Sequence, residues 1–317
     1  MKICILVSNQ TNPYWNVSVE NYLVSQPDTG TVVMYLWKNR RTVVIGQNQN
    51  PFSECNVDAL LSDGGYLMRR TTGGGAVYHD DGNINFSFVA PYDLYDQQRQ
   101  FEVICKSLED YGLHAELSGR NDLLCNGRKF SGNAFSKGRS QRLHHGTILI
   151  KGNMDDLSRY LKVKPAKLQK HGVSSVQSRV VNLSELNPEI CSDTIAPHLV
   201  AAFESVYGAH TETLDFDTVR ALPAVVELYR KYSSEEWLYG KWRSFTATRT
   251  AQFEWGGVEL QLVVDQQRGV ITDVQIASDA IDLAAIDEAR RLLTGASTKK
   301  RPQTEDAIVN DILSMVY

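Results

Sequence analysis

Residues 69–80 read Arg-Arg-Thr-Thr-Gly-Gly-Gly-Ala-Val-Tyr-His-Asp, and the three consecutive glycines constrain the fold more than any other stretch. Gly73–Gly75 remove every side chain along about 10 Å of extended backbone. Such a segment reaches φ > 0 without steric cost and lets another surface lie directly against main-chain N–H groups. The preceding arginines are permanent, planar anion binders. A glycine triplet alone reads as a turn. Framed by Arg69–Arg70 and by Ala76–Asp80, it reads as a loop suited to a phosphate or a carboxylate.

The common nucleotide motifs do not account for it. A Walker A loop needs a lysine after its last glycine, which is missing, and Tyr78 stands where G-x-G-x-x-G needs glycine. HExxH and GxSxG are also absent. A second segment runs Ser118–Leu123 and Gly127–Ala134. In it Lys129 follows Arg128 and precedes Phe130-Ser131-Gly132, read as a turn. A lysine ammonium there suits a phosphate and a carbonyl oxygen at once. Asp122 is the lone acid among Arg120, Arg128, Lys129, Lys137, Arg139 and Arg142. It reads either as a Mg²⁺ ligand or as part of a turn-forming Asn121-Asp122 pair. The paired His144 and His145 lack a third ligand at zinc spacing, so a hydrogen bond to backbone at a strand start is expected. His79 reads either as a ligand contact or as a structural hydrogen bond.

Composition bounds the rest. The 317 residues carry 33 Lys+Arg and 37 Asp+Glu, with 42% hydrophobic residues, an ordinary globular balance that fits two domains. There is no general attraction to nucleic acid. No apolar run approaches the roughly 18 residues of a membrane span. The run Ile3–Val7 is too short for a signal-peptide core. Five scattered cysteines without a CxxC pair point to a reducing, cytoplasmic setting.

Patterning predicts strands at Ile3–Val7, Val32–Trp37, Thr42–Ile45, Asn85–Val89 (half-buried) and Thr147–Ile150, and helices at Pro13–Val24, Arg99–Tyr111 and Ile195–Tyr207. Without a strict βαβ rhythm, a mixed sheet in an α+β fold is expected. Val258–Val264 and Val270–Ile276 read as a hairpin around Asp265–Gly269. The helices Leu283–Leu293 and Glu305–Val316 follow, with Thr304 as the N-cap of the second. From Thr250 onward there are 6 basic and 11 acidic residues, so this small ββαα unit is acidic and the larger part near neutral.

Taken together, Arg69–Asn83, Ser118–Leu123, Gly127–Phe135 and His144–Thr147 resemble the lipoate-protein ligase A family. Thr42–Asn56, Gly172–Leu186 and Phe253–Leu260 extend the resemblance over nearly the whole chain. It implies a biotin/lipoate ligase-like mixed β-sheet domain with flanking helices over residues 1–246, and a small C-terminal α/β accessory domain over 250–317. A hinge is expected between Ser244 and Thr250.

The resemblance also implies a chemistry. Lipoate would be activated with ATP and Mg²⁺ to lipoyl-AMP, and the acyl group then passed to a lysine of an apo lipoyl domain (E2 subunits, glycine-cleavage H protein). By this likeness Arg70, Gly75, Ala76, Val77 and Tyr78 hold the nucleotide, while Gly73, Gly74, Gly75 and His79 contact lipoate. Lys129 contacts both and is the catalytic residue. Asn121 and Asp122 lie near phosphate, with Asp122 a candidate Mg²⁺ ligand. A monomer with no nucleic-acid or membrane partner is expected. A lipoyltransferase using preformed lipoyl-AMP stays open as an alternative. An octanoyltransferase is disfavoured, because residues 126–190 contain no cysteine. The biotin ligase glycine motif is missing, and a non-catalytic binder would not need both Arg70 and Lys129.

Overall fold

The computed structural model describes residues 2–119, 121–162, 180–239, 247–265 and 268–317. Arg120, residues 172–179 of the Gly172–Leu186 segment, 244–246 of the expected hinge and 266–267 of the hairpin loop lie outside the described residues.

The strands are β1 (Lys2–Val7), β2 (Thr31–Trp37), β3 (Thr42–Ile45), β4 (Tyr66–Arg69), β5 (Val77–His79), β6 (Asn83–Pro91), β7 (Ala115–Ser118), β8 (Asp122–Cys125), β9 (Arg128–Lys137), β10 (Gln141–Leu149), β11 (Thr211–Leu214), β12 (Ala247–Phe253), β13 (Gly256–Asp265) and β14 (Val270–Ser278). Among the described residues they form three sheets. The largest has the order β11-β1-β2-β6-β10-β9-β8-β7. It is mixed: β1 pairs parallel with β2 and β11, and β6 pairs antiparallel with β2 and β10. The expected α+β mixed-sheet class is what the chain adopts.

Helices cover both faces. Gln97–Lys106 and Ser192–Tyr207 pack on one side, burying Phe86, Phe88, Phe101 and Phe203 in one core. Pro13–Ser25, started by Pro13 and capped by Asn12, packs on the other with Pro223–Tyr232, around Leu6, Tyr35, Trp37, Val89 and Leu143. The expectation that Asn85–Val89 is half-buried is therefore corrected. All nine residues of β6 are buried, because the strand is central and covered on both faces.

Other local readings also change. Lys129-Phe130-Ser131-Gly132 is not a turn but the body of β9. The turn lies one step earlier, where Asn126 (φ 52°) and Gly127 (φ 72°) join β8 to β9 with Cys125 opposite Arg128. Two positive φ values in a two-residue loop give the type I′ hairpin that Asn-Gly favours. The helix expected over Arg99–Tyr111 ends at Lys106 and resumes as a 3₁₀ turn at Glu109–Tyr111. His144 and His145 lie inside β10 rather than at its start, and their ring nitrogens meet side chains rather than backbone.

The small sheet β4-β3-β5 sets the glycine-rich segment. β3 runs parallel to β4 and antiparallel to β5, so the chain leaves β4 at Arg69, forms the 70–76 loop and returns at Val77. The C-terminal unit gains a strand that patterning missed. β12 pairs with β13 and makes a β12-β13-β14 meander, backed by Leu283–Leu293 and Ala307–Ser314 around a core of its own. The second of these helices is capped by Asp306, whose carboxylate accepts from Val309 N–H at 3.0 Å, and not by Thr304.

Candidate active site

Arg69 ends β4 and Arg70 opens the loop, and both are buried. Arg69 spends its guanidinium on main-chain carbonyls. It donates to Gly46, Gln47 and Gln49 on one side (3.3, 2.8 and 2.7 Å) and to Trp237 and Leu238 on the other (2.9 and 2.7 Å). Arg70 donates to Thr72 Oγ1 (3.0 Å), to Gly73 O (2.7 Å) and to Gly75 O (2.8 Å). Burial lowers each guanidinium to about 10, so both remain cations at neutral pH. Arg70 thus braces the glycine loop from inside.

The loop's three glycines answer different needs. A Cβ on Gly73 would stand 2.1 Å from Ala280 O and 2.9 Å from Ile281 Cα, both in the C-terminal unit. Gly74 has φ 93°, and its N–H donates to Ala280 O at 3.0 Å. Gly75 faces open space. Side-chain loss at 73 therefore serves the contact with the C-terminal unit, while 75 keeps an open approach. Ser278 N–H to Asn48 O (2.9 Å) and Ser53 Oγ to Glu259 Oε2 (2.9 Å) extend that contact.

A directed hydrogen-bond chain starts at Arg70. Thr72 Oγ1 accepts from Arg70 and lies 2.8 Å from His145 Nε2, to which it donates when the ring carries its single proton on Nδ1. The other nitrogen, Nδ1, then donates to Glu20 Oε1 at 2.8 Å. From the far side Trp37 Nε1 donates to Ser87 Oγ (2.9 Å), and Ser87 donates to the same Glu20 oxygen (2.6 Å). Glu20, buried on the inner face of the Pro13–Ser25 helix, is the common acceptor.

Glu20, Trp37, Ser87 and His145 were not read as site residues from sequence. A signal existed: Asn16 and Glu20 are polar at i, i+4 on the same helix as the apolar stripe.

Val77 and His79 share one face of β5, and Tyr78 points to the other. Val77 packs with Val44, Met68 and Trp37. The Tyr78 hydroxyl donates to Asp156 Oδ2 (3.2 Å) and its ring packs on Tyr160, so only its backbone remains for the loop side. Burial, with Asp156 beside it, pushes the phenol up. His79 Nδ1 accepts from Asn39 Nδ2 at 3.2 Å, and its Nε2 is buried without a partner. Burial, with Arg70 nearby, lowers the imidazole to about 3.

The second group lies on β8 and β9. The Lys129 ammonium pairs with Asp122 Oδ1 at 2.7 Å, both side chains about one-third exposed. Gly132 leaves room for it, since a Cβ there would lie 3.1 Å from Lys129 Nζ. Asn121 is tied to Asn133 in both directions: its carbonyl accepts Asn133 N–H (2.9 Å) and Nδ2–H (3.1 Å), and its own amide donates to Asn133 O (3.1 Å). The basic run is not one face. Arg128 pairs with Glu185, Lys129 with Asp122, and Arg142 lies over Tyr92 and Tyr95.

No group of three or more His, Cys, Asp or Glu side chains disposed to hold a metal occurs among the described residues. Asp122 offers a single partly exposed carboxylate with one oxygen on Lys129. That fits Mg²⁺, which takes one or two carboxylates and fills its shell with phosphates and waters.

Known protein families match both parts of the chain. Residues 12–204 match the lipoyl protein ligase A/B catalytic domain, and residues 243–305 match the bacterial lipoate protein ligase C-terminus. The chain belongs to the lipoyl protein ligase A/B family. A relative, lipoate-protein ligase A of Psychrobacter cryohalolentis, is 38% identical over 95% of this chain and 90% of its own length. Among solved structures, P. falciparum LipL1 in complex with lipoate matches with a TM-score of 0.84 and 30% identity, covering 98% of each chain. The bipartite lipoate protein ligase of Thermoplasma acidophilum, described with its E2 lipoyl domain, has a TM-score of 0.67 at 26% identity, over 78% of this chain and all of that one. A lipoate-protein ligase A bound with ATP has a TM-score of 0.64 at 26% identity, over 76% of this chain and 99% of that one. In this lipoyl ligase family member the glycine loop and the Lys129–Asp122 pair are joined through β10, whose neighbouring histidines face opposite sides of the sheet.

Proposed function

We propose that this chain is an ATP-dependent lipoate-protein ligase that forms lipoyl-AMP and then transfers the lipoyl group to a lysine of an apo lipoyl domain. The observation that carries the reading is the partly exposed Lys129 ammonium, opposed by Gly132 and held by Asp122, in a chain of this family. Relatives whose structures hold lipoate or ATP support the two substrates, and the archaeal ligase with its E2 lipoyl domain supports the acceptor class.

In the first step a carboxylate oxygen of lipoate attacks the α-phosphorus, the bond to the leaving oxygen breaks, and pyrophosphate departs. Two like charges 4 Å apart repel by about 1 kcal/mol in water, and by about 4 kcal/mol at an effective dielectric of 20. Lys129 offsets that repulsion at the α-phosphate and the reacting carboxylate. Arg70 fixes the loop carbonyls so that the N–H groups of Gly75 to Tyr78 face the nucleotide, and Gly73, Gly74 and His79 border the acyl chain. Asp122, with Asn121 nearby, would hold Mg²⁺, which would neutralise charge on the phosphates. In the second step a neutral acceptor amine attacks the carbonyl carbon. The carbon–oxygen bond to AMP breaks, the amine loses a proton and AMP leaves, with Lys129 polarising the carbonyl oxygen.

Residues 1–246 would act as the catalytic domain and 250–317 as an accessory domain that hinges near 244–250. The enzyme would work as a cytoplasmic monomer. No described helix is long and apolar enough to cross a membrane.

Purified protein given ATP, Mg²⁺, lipoate and an apo lipoyl domain should release pyrophosphate and add one lipoyl mass to the acceptor. Modification only with supplied lipoyl-AMP would make it a lipoyltransferase instead. Lys129→Ala should lower adenylate formation at least 100-fold while keeping the native melting temperature; an unchanged rate would remove Lys129 from its role.

A further inference from the structure

His144 lies within β10 among aromatic rings. It is fully buried, and its ring touches those of Phe86, Phe88, Phe101 and Phe135, with centroids 4.7 to 5.9 Å away. A polar ring in an aromatic cage is costly unless each nitrogen is partnered. Both have one: Nε2 lies 2.9 Å from Asn133 Oδ1, and Nδ1 lies 3.0 Å from Gln100 Oε1, in an amide orientation that leaves Gln100 Nε2 and the Tyr207 hydroxyl without a partner.

The directions of these bonds follow from counting protons. Burial holds His144 well below the ordinary histidine pKa, so the ring is neutral and carries one N–H. Asn133 already donates its amide nitrogen to Asn121 O and to Ser131 Oγ (3.2 Å), which fixes its oxygen toward His144. The single proton is therefore on Nε2. Nδ1 must accept, and it can accept only the Gln100 amide nitrogen. That orientation turns the Gln100 oxygen toward the adjacent Tyr207 hydroxyl, and it removes the two unpartnered buried atoms the opposite orientation leaves at Gln100 and Tyr207. One chain results, Tyr207→Gln100→His144→Asn133→Asn121. It crosses the core from the Ser192–Tyr207 helix, through the Gln97–Lys106 helix, to the residue before Asp122.

Gly146 shows that the site is built around this amide. A Cβ there would stand 2.5 Å from Asn133 Oδ1 and 2.6 Å from Phe86.

We propose that His144, as a neutral imidazole protonated on Nε2, is a positioning residue for the Lys129–Asp122 pair. Through Asn133 it fixes the Asn121 carbonyl, and so the point where β8 starts and the direction in which Asp122 meets Lys129. The inference rests on Lys129 lying at the reacting centre. His144 touches no reacting atom itself.

The test uses the full chain and His144→Phe, whose new ring fills the cage and should keep the fold. Expected are a lower melting temperature with cooperative unfolding retained, since Asn133 Oδ1 and the Gln100 amide lose their partner, a fall of tenfold or more in kcat for pyrophosphate release, and a change below twofold in the KM for lipoate. Gln100→Glu gives an independent reading, because a carboxylate accepts from Nδ1 where the amide donates. The ¹⁵N spectrum should show His144 as the neutral Nε2–H form in the parent and as doubly protonated in the variant. In both variants the ¹³Cγ resonance of Asp122 should shift. An unchanged kcat in folded His144→Phe, an Nδ1–H parent ring, or a stationary Asp122 resonance would each overturn the proposal. If the parent protein releases no pyrophosphate, the ligase reading fails while the two spectra still decide this inference.

Discussion

The carbonyl of Ala280 accepts the Gly74 N–H at 3.0 Å, so the C-terminal unit closes directly onto the loop expected to receive substrate. Gly73 makes that closure possible, because Ala280 O and Ile281 Cα occupy the space of its missing Cβ. Gly73→Ala should therefore unseat the C-terminal unit, at a cost of about 1–3 kcal/mol typical of overpacking. Faster proteolysis between residues 240 and 250, with both cores still folded, would register it. Cleavage at the parent rate would show that the contact yields without cost.

Arg69 joins the Gly46–Gln49 turn to the Trp237–Leu238 backbone through five donated hydrogen bonds. Lysine keeps the charge but has three donors and no planar fork. Gly46 O keeps the Gln49 N–H, so Arg69→Lys should leave at least one of the Gln47, Gln49, Trp237 and Leu238 carbonyls unpaired and lower stability by about 1–3 kcal/mol. A urea midpoint within error of the parent would contradict the role given to Arg69.

The acid response should come partly from His79. Its folded pKa of about 3 is below the ordinary value of 6.5, so between those pH values the unfolded chain binds a proton that the folded chain does not. Stability is therefore full above about pH 6.5 and declines as pH falls toward 3. By linkage the loss between pH 7 and 5 is about 2 kcal/mol for this one group. His79→Gln should flatten that part of the profile, read from urea titrations at pH 7, 6 and 5. An equally steep variant would assign the acid sensitivity elsewhere.

How far the sequence reaches is clear from individual residues. Thr42–Ile45 and Leu283–Leu293 were legible to the residue, because β-branched runs and helical periodicity are local signals. β9 was missed because Lys129 and Gly132 suggest a loop, yet strand pairing with β8 and β10 decides the matter from elsewhere in the chain. Arg69 and Arg70 were found as a pair. Their use on carbonyls was not legible, since it depends on residues up to 169 positions away. Glu20 and His145 were overlooked for the same reason. A buried carboxylate shows in sequence only as one more charge, and the partners that make burial tolerable come from other elements.

The paired histidines of β10 have one more consequence. In a strand a slip of one residue exchanges the two faces, and here it would keep a histidine at only one of the two positions and bring Leu143 or Gly146 into the other. One of the two buried hydrogen-bond networks would then lose its imidazole, so the pair itself resists the slip. Gly146 adds a second check, because a Cβ there has no room between Asn133 and Phe86. A bulkier residue there would be excluded in the native alignment, and the strand's most featureless residue becomes its registration mark.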